Sequence, residues 1–122
     1  VDVDHFKQYN DRHGHLAGDR HLVRVADALR RHVRPVRELL ARFGGEEFVL
    51  VMPGATLAHA GQRAETLRAG VERDTGGTTI SIGVAVAAPD GPDRDHTALL
   101  QRADGALYRA KAGGRNRVEL DP

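Results

Sequence analysis

The chain has 122 residues, of which 40% are apolar and 29% are charged, a composition typical of a soluble globular domain with one hydrophobic core. Its 18 basic and 17 acidic residues leave a formal net charge of +1, which argues against a domain that wraps duplex nucleic acid. Cysteine is absent, which excludes disulfides and thiolate metal sites, and no run of about 18 apolar residues could span a bilayer.

The chain opens on alternating apolar and acidic residues over 1–4, the period of a strand with one buried face. Residues 5–15 predict a short helix that turns at Gly14. A longer helix follows, with Asp19 as its predicted N-cap and Pro35 at its end. Because the chain begins inside a strand, we expect it to be an N-terminally truncated part of a longer protein.

The middle of the chain predicts two strands around a glycine turn. Residues 38–43 and 48–52 form these strands, and Gly44-Gly45 between them predicts a hairpin because both glycines tolerate a positive φ. A helix over 57–73 follows, and residues 78–87 are rich in β-branched residues and predict a buried strand.

The end of the chain predicts a polar loop over 89–95, a helix over 97–112 and a short edge strand over 117–120. Helices that alternate with strands, some of them joined by a tight hairpin, indicate a single α/β domain over residues 1–122 with helices packed on a sheet.

Two acidic pairs are candidates for a metal site. Asp2 and Asp4 point to the same side of the first strand, and Glu46 and Glu47 directly follow the glycine turn. If the two strands are neighbours, Asp2 and Glu46 converge, and carboxylates that close repel each other unless a cation lies between them. Because Mg²⁺ prefers oxygen ligands completed by water and phosphate, these residues predict a hard-metal site.

Other residues could bind phosphate. The Gly44-Gly45 backbone would allow a phosphorylated or planar ligand to approach, although an ordinary hairpin explains this turn equally well when it is considered alone. Free N–H groups at the start of the first helix, together with Lys7, could hold phosphate oxygens. Lys111 and Arg115 could bind a triphosphate or only complement the helix C-terminus, and their spacing leaves both possibilities open.

The histidines do not predict a second metal site. His13 and His15 flank Gly14, but neither has a partner at zinc-ligand spacing. We expect the histidines beyond the first helix to lie on the surface: His21, His32, His59 and His96.

Four segments resemble, in order, the signature motifs of the GGDEF domain family of diguanylate cyclases. They are DVDHFKQYND (2–11) with GH (14–15) and GD (18–19), RFGGEEF (42–48), TISIG (79–83), and ADGALYRAK (103–111) with GRN (114–116). The second segment carries the GGEEF form of the signature loop, and together the four cover nearly the whole chain.

The resemblance implies a palm-like fold of the nucleotidyl-cyclase type, with a central, mostly antiparallel sheet flanked by helices. It implies a diguanylate cyclase that condenses two GTP molecules into cyclic di-GMP and pyrophosphate, with one or two Mg²⁺ or Mn²⁺ ions in each site. Because each domain would carry half of the site, catalysis would require a homodimer. The alternative is a catalytically silent regulatory module that binds GTP.

The resemblance also implies a role for each matched residue. Asp2, Glu46 and the backbone carbonyl of Val3 would bind the metal, and Glu47 would assist either the metal or the activation of the attacking hydroxyl. The substrate-binding residues would be Asn10 and Asp19 for the guanine edge, His5, Phe6, Lys7, Lys111 and Arg115 for the phosphates, and Gly44 and Gly45 for the second nucleotide.

Two stretches depart from the family pattern. The segment between Arg73 and Thr78 is shorter than usual and lacks a strand. The R-x-x-D run that binds product in feedback-inhibited members is replaced, with Pro35 and Glu38 at its ends, so we expect weak or absent product inhibition. For the whole protein we expect a sensory or regulatory domain upstream, and for this segment a cytoplasmic location, no membrane contact and no nucleic-acid partner.

Overall fold

The computed structural model describes residues 1–88 and 95–122, which contain five strands and four helices. In chain order these are β1 (Asp2–Val3), α1 (Phe6–His13), α2 (His15–His32), β2 (Leu39–Gly44), β3 (Glu47–Val51), α3 (Leu57–Asp74), β4 (Ile80–Val84), α4 (His96–Ala112) and β5 (Val118–Leu120). Apart from Asp95, which caps α4, the predicted loop over 89–95 lies outside the described residues. None of the helices in these ranges is long and apolar enough to cross a bilayer.

The strands form one sheet in the order β2-β3-β1-β4-β5, with the short β1 at its centre. Only the β4–β5 pair is parallel among these strands, which confirms the predicted mostly antiparallel sheet flanked by helices. The register places Asp2 opposite Glu47 on one side and opposite Ser81 on the other. Backbone hydrogen bonds between Val1 and Phe48, of 2.8 and 2.9 Å, extend the β1–β3 pairing.

One face of the sheet carries the main hydrophobic core. Alternate residues of β4 pack there against α2 and α3, as expected for a strand with a period of two. The largest side chains that are completely buried in this core are Leu29, Leu67, Ile80, Val25 and Val71. Burial of this aliphatic set stabilises the sheet from which the candidate site is built.

Helix α4 packs on the other face of the sheet, directly against Gly83 of β4. A Cβ atom at Gly83 would lie 2.1 Å from the carbonyl oxygen of Ala103 and 2.3 Å from the backbone nitrogen of Leu107. No side chain fits in this space, so glycine allows the helix backbone to lie on the strand backbone. The glycine of the T-x-S-x-G segment therefore has a packing role.

Several predicted boundaries were wrong. Helix α2 begins at His15, directly after Gly14, so Asp19 lies inside the helix and is not its N-cap. Gly14, with φ of 86°, both ends α1 and starts α2, which leaves no linker between the two helices. The strand predicted over 78–87 covers only Ile80–Val84, and the described residues contain no strand between α3 and β4, as expected from the short segment there.

The glycine hairpin also differs in detail from the prediction. Gly45, with φ of 45°, takes up a left-handed conformation and forms the turn with Glu46. Gly44 does not have a positive φ; it ends β2 opposite Glu47, where the register shifts after Arg42. One glycine therefore makes the turn, and the other belongs to an irregular strand end.

Candidate active site

The backbone brings the opening strand and the glycine hairpin together. Strands β1 and β3 are neighbours, as the metal-site hypothesis required, with Asp2 opposite Glu47. The N–H of Val3 donates a hydrogen bond to the carbonyl oxygen of Glu46 at 3.2 Å. Asp2 and Val3 are buried, and both glutamates are half-buried. The residues expected to bind metal are therefore contiguous at the hairpin end of the sheet.

Asp2 is a buried carboxylate whose two oxygens have different surroundings. Oδ2 forms an ion pair with Nζ of Lys111, which lies near the C-terminal end of α4. Oδ1 is buried and accepts no hydrogen bond from the described residues. Because a buried anionic oxygen without a partner is costly, this oxygen fits a ligand of a divalent cation.

The side chains alone do not form a closed metal cage. Within residues 1–88 and 95–122, no group of three or more His, Cys, Asp or Glu side chains could hold a metal ion. The expected ligand set has two carboxylates and one backbone carbonyl, so water or substrate oxygens would complete the coordination. Mg²⁺ is commonly bound through one or two carboxylates plus substrate phosphates, and the residues present fit this type of site.

Asp4 has a structural role that its sequence pattern did not reveal. Its carboxylate accepts hydrogen bonds from Thr79 Oγ1 (2.7 Å), Ser81 Oγ (2.6 Å) and the backbone N–H of Asn116 (2.9 Å). Because Ser81 stands opposite Asp2, this contact agrees with the prediction that both aspartates point to the same side of β1. Asp4 thus ties β1 to β4 and to the segment that follows α4.

The segment after α4 carries an unusual backbone. Arg115 (φ 64°), Asn116 (φ 46°) and His5 (φ 59°) are the non-glycine residues with positive φ in the described ranges. Such conformations cost about 1–3 kcal/mol each and cluster at functional sites. Asn116 is held by Asp4 and also accepts a hydrogen bond from Arg68 at 2.7 Å, so Arg115 is fixed beside the end of β1.

Helix α1 begins directly after the strained His5, at the end of β1. Its first intrahelical hydrogen bond runs from the N–H of Tyr9 to the carbonyl of His5 at 3.0 Å, and no side chain caps the helix. The preceding N–H groups, including those of Phe6 and Lys7, therefore have no partner within the helix and can bind an anion. These are the backbone groups expected to hold phosphate.

Asn10 and Asp19 are brought near each other by Gly18. A Cβ atom at Gly18 would lie 1.6 Å from Oδ1 of Asn10, so the amide rests directly on the glycine backbone. Oδ1 of Asn10 is buried and accepts no hydrogen bond from the described residues, while Asp19 is exposed in the next position of α2. The need for glycine at this position was missed because α2 was expected to begin after it.

A small cavity borders Asp19, and a larger groove lies mostly away from the expected site residues. A cavity of about 320 Å³, at the small end of the range for ligand pockets, is lined by Asp19, Leu22, Val23, Ala26, Arg30, Leu40, Arg42 and Phe48. A larger apolar groove of about 1310 Å³ runs between β3, β4 and α4. Of the expected site residues only Glu47 lines this groove, so the candidate site lies outside most of it.

Glu38 stands where the resemblance implies a product-binding carboxylate, but it is buried inside the fold. Arg63 of α3 donates two hydrogen bonds to it, at 2.9 and 2.7 Å, and the N–H of Arg34 donates a third at 2.8 Å. The hydrogen bonds from Arg63 hold the pKa of Glu38 below its ordinary value, even though burial acts in the opposite direction. The carboxylate is thus engaged by the protein itself.

Two of the four histidines expected on the surface are not exposed. His21 is buried against α1, and His32 is half-buried and forms a 3.0 Å hydrogen bond with Asp74. The sequence contained an indication that His21 is buried, because it lies at helical spacing from Val25 and Ala28, which are also buried. His59 and His96 are exposed, as predicted.

Comparison with known proteins decides the family. The family model described as "Diguanylate cyclase, GGDEF domain" matches residues 1–117. The chain belongs to the GGDEF domain family. This confirms the resemblance found in the sequence motifs.

Curated relatives of this GGDEF domain include proteins of Pseudomonas aeruginosa and Caulobacter vibrioides. It is 42% identical over 125 residues to diguanylate cyclase DgcP of Pseudomonas aeruginosa, covering 98% of this chain and 18% of DgcP. It is 43% identical over 127 residues to response regulator PleD of Caulobacter vibrioides, covering 97% of this chain and 27% of PleD. The chain therefore spans less than a third of the length of these relatives.

Solved structures of GGDEF domains have the same fold. The GGDEF domain of DgcB from Caulobacter crescentus, in complex with c-di-GMP, matches with a TM-score of 0.87 and 35% identity, covering 98% of this chain and 74% of that chain. The active GGEEF domain of a diguanylate cyclase from Vibrio cholerae matches with a TM-score of 0.84 and 31% identity, covering 99% of this chain and 79% of that chain. These similarities confirm the expected palm-like fold.

Proposed function

We propose that this GGDEF domain is a diguanylate cyclase that condenses two GTP molecules into cyclic di-GMP and pyrophosphate. The pairing of β1 with β3 is the observation that carries the proposal, since Asp2, Val3 and Glu46 become neighbours there. Lys111 contacts Asp2, and Arg115 is fixed nearby. The Asp2 carboxylate with Lys111 beside it, and the backbone positions of Glu46 and Arg115 near the same strand, suit a substrate that carries both phosphates and a metal ion.

The chain has separate groups for the two ends of GTP. Asn10 and Asp19, an amide and a carboxylate, complement the acceptor and donor groups on the guanine edge, and the 320 Å³ cavity next to Asp19 offers room for a planar base. The free N–H groups of α1, with Lys7, Lys111 and Arg115, would neutralise the triphosphate.

Asp2, Glu46 and the carbonyl of Val3 would hold Mg²⁺ or Mn²⁺. The bound ion would lower the pKa of the attacking hydroxyl and neutralise charge on the α-phosphate. Glu47, opposite Asp2 and half-buried, would either assist at the metal or accept the proton of the hydroxyl.

In the proposed reaction the 3′-oxygen of one GTP forms a bond to the α-phosphorus of the other, and the bond to the β-phosphate breaks. Pyrophosphate leaves with the bonding electrons, the hydroxyl proton passes to a base, and the reciprocal step closes the ring. Two domains must therefore face each other. Gly44 and Gly45 are exposed with open space around them, so their backbone can approach the second nucleotide.

The proposal is tested by following pyrophosphate and cyclic di-GMP with GTP and Mg²⁺ over a range of protein concentrations. Because two domains form one site, the rate should rise with the square of the protein concentration while monomers predominate. The silent regulatory module would bind GTP without releasing pyrophosphate. GTP binding with no product at any protein concentration would exclude the cyclase.

Replacing Gly18 by alanine is expected to weaken GTP binding about tenfold or more, because the new methyl group must displace Asn10. Alanine favours helix more than glycine by about 1 kcal/mol, so α2 itself should not be destabilised. Calorimetric titration with GTP measures the effect. Gly105→Ala is the matched control, since the nearest neighbouring atom to a Cβ there lies 3.8 Å away. Equal affinity of Gly18→Ala and the wild type would show that Asn10 does not bind the substrate.

Product inhibition at the family's R-x-x-D position is expected to be weak or absent. Pro35 offers no guanidinium there, and the Glu38 carboxylate is already bound by Arg63. Calorimetry with cyclic di-GMP and monomeric protein measures this directly. Tight binding that is lost in Arg34→Ala would contradict the expectation.

A further inference from the structure

The corner between α1 and α2 is held together by a cluster of rings. Phe6, Tyr9 and His13 follow each other at helical spacing on α1. The ring centroid of Tyr9 lies 4.1 Å from that of His21 in α2, with the planes at 11°, and 4.6 Å from that of His13. The Phe6 ring is parallel to His21 within 10° at 6.4 Å. No residue of α1 is fully buried, whereas His21 is only 6% exposed, so the packing of α1 on α2 centres on this histidine.

The groups around His21 favour the neutral form of its ring. Arg24 is always a donor, and its guanidinium lies 3.2 Å from Nδ1 of His21, so the ring proton is on Nε2. Burial lowers the pKa of His21 below its ordinary value, and electrostatic interactions with Arg24 on α2 and His13 on α1 lower it further. Tyr9, the other ring in contact, stacks on His21 through its aromatic face. Both helices therefore present groups that oppose a proton on His21.

The ring cluster lies between the two residues proposed to bind guanine. Tyr9 directly precedes Asn10 on α1, and Asp19 stands two positions before His21 on α2. The distance between Asn10 and Asp19 therefore depends on how closely α1 packs on α2. The contact between Asn10 and Gly18 shows that this packing is tight.

We propose that His21, stacked on Tyr9, is a positioning residue for Asn10 and Asp19, and that a proton on its ring loosens the corner and weakens GTP binding. That GTP is the ligand of this site rests on the proposed function. Because the ring is buried beside Arg24, a proton on His21 adds a positive charge that is costly to bury. Water reaches the charged ring only if α1, which covers it, moves away from α2. The affinity for GTP thereby becomes sensitive to acid.

The direction of the pH effect follows from linkage. The pKa of His21 in the packed corner lies below the value of about 6.5 for a free histidine, so the loosened state takes up a proton first as the pH falls. Packing of the corner is complete at neutral pH and above. It weakens as the pH falls below about 6.5 and through the pKa of the packed ring.

The experiment compares GTP affinity by calorimetry at about pH 7.5 and about pH 5.5 in the wild type, His21→Phe and His59→Phe. Phenylalanine keeps the stacking but takes up no proton, and His59 is an exposed control on α3. The loss of affinity on acidification should be about 5-fold larger in the wild type and His59→Phe than in His21→Phe. Titration of GTP itself is common to all three proteins and cancels in this comparison.

His21→Ala removes the ring altogether and provides a second readout. Its KM for GTP at neutral pH should rise about tenfold, while kcat at saturating GTP stays close to that of the wild type. An equal fall in kcat would contradict a positioning role. Circular dichroism at both pH values separates loss of fold from loss of affinity.

Equal acid sensitivity in the wild type and His21→Phe would overturn the inference. If the wild type does not bind GTP at neutral pH, the proposed function fails, and the inference is then decided by NMR on the free protein. The amide resonances of Asn10 and Asp19 should shift with the same midpoint as the His21 ring. Resonances that do not follow the His21 titration would refute the positioning role independently of GTP.

Discussion

Replacing Glu46 by glutamine is expected to lower the rate of cyclic di-GMP formation by about a thousandfold, because a metal ligand that stabilises charge in the transition state by several kcal/mol is lost. Glutamine keeps the size of the side chain but offers Mg²⁺ only a neutral oxygen. The hydrogen bond that joins Glu46 to Val3 uses the backbone carbonyl, so the pairing of β1 with β3 should survive. Pyrophosphate release and nucleotide chromatography measure the loss.

Separate measurement of kcat and GTP affinity for Glu46→Gln distinguishes a loss of catalysis from a loss of substrate binding. We expect kcat to fall while GTP still binds through its guanine and phosphate contacts. Glu119→Gln in β5 removes the same charge away from the hairpin and should keep wild-type turnover. A Glu46→Gln protein with wild-type kcat would remove Glu46 from the proposed metal site.

Glu47→Gln separates the two roles left open for Glu47. If Glu47 assists the metal, a higher Mg²⁺ concentration should recover part of the rate lost in Glu47→Gln. If Glu47 accepts the proton, the variant should instead lose the acidic limb of the pH–rate profile.

Arg63→Ala is expected to lower the free energy of unfolding by about 3–5 kcal/mol, the range measured when one partner of a buried ion pair is removed. The Glu38 side chain is only 4% exposed and would lose both hydrogen bonds from the guanidinium. Domains of this kind are stable by about 5–15 kcal/mol in total, so the expected loss is a large fraction of the free energy of unfolding. Urea denaturation followed by circular dichroism gives the value.

Two further measurements test the cause of this loss. The double variant Glu38→Gln/Arg63→Met removes both charges and should recover most of the stability, since a neutral amide can still accept from the N–H of Arg34. Arg30→Ala, which breaks an exposed pair with Asp27, should cost less than about 1 kcal/mol. A double variant as unstable as Arg63→Ala would show that packing, and not the unpaired carboxylate, dominates.

The pH dependence of this loss has a definite sign. Arg63 holds the pKa of Glu38 below its ordinary value. The stabilisation of the fold by this ion pair is therefore fully present above the pKa of Glu38 in the unfolded chain, about 4.3. It is lost as the pH falls through the folded pKa. The difference in stability between the wild type and Arg63→Ala should therefore shrink in acid.

The order of elements could be predicted because it depends on local patterns, whereas the pairing of β1 with β3 stood only as a condition of the metal-site hypothesis. Alternation over 1–4 and the glycine turn at 44–45 led to the hypothesis that Asp2 and Glu46 converge, and the register places Asp2 opposite the adjacent Glu47. The start of α2 could not be found in this way. Gly18 resembles a helix break when its neighbours are unknown, and only the contact with Asn10 explains a glycine inside the helix.

The residues that sequence reasoning missed act through partners that are distant in the chain. Gly83 is required because of the backbone of α4, about twenty residues later, and no local pattern contains this information. Glu38 was considered only as a degenerate product ligand, whereas its partner Arg63 lies 25 positions away, in α3. Spacing identifies residue types along one element, but it does not show what packs on them.

The three hydrogen bonds to Asp4 have a consequence for reading the family signature. Thr79, Ser81 and Asn116 are separate positions of the signature motifs, yet all three donate hydrogen bonds to the same carboxylate, that of Asp4. Substitution of any of these three residues should change the position of Arg115 and of the end of β1, although none of the three contacts the nucleotide in the proposed site. Some residues of the signature motifs therefore have a structural role. A variant at these positions can be inactive without having lost a group that contacts GTP.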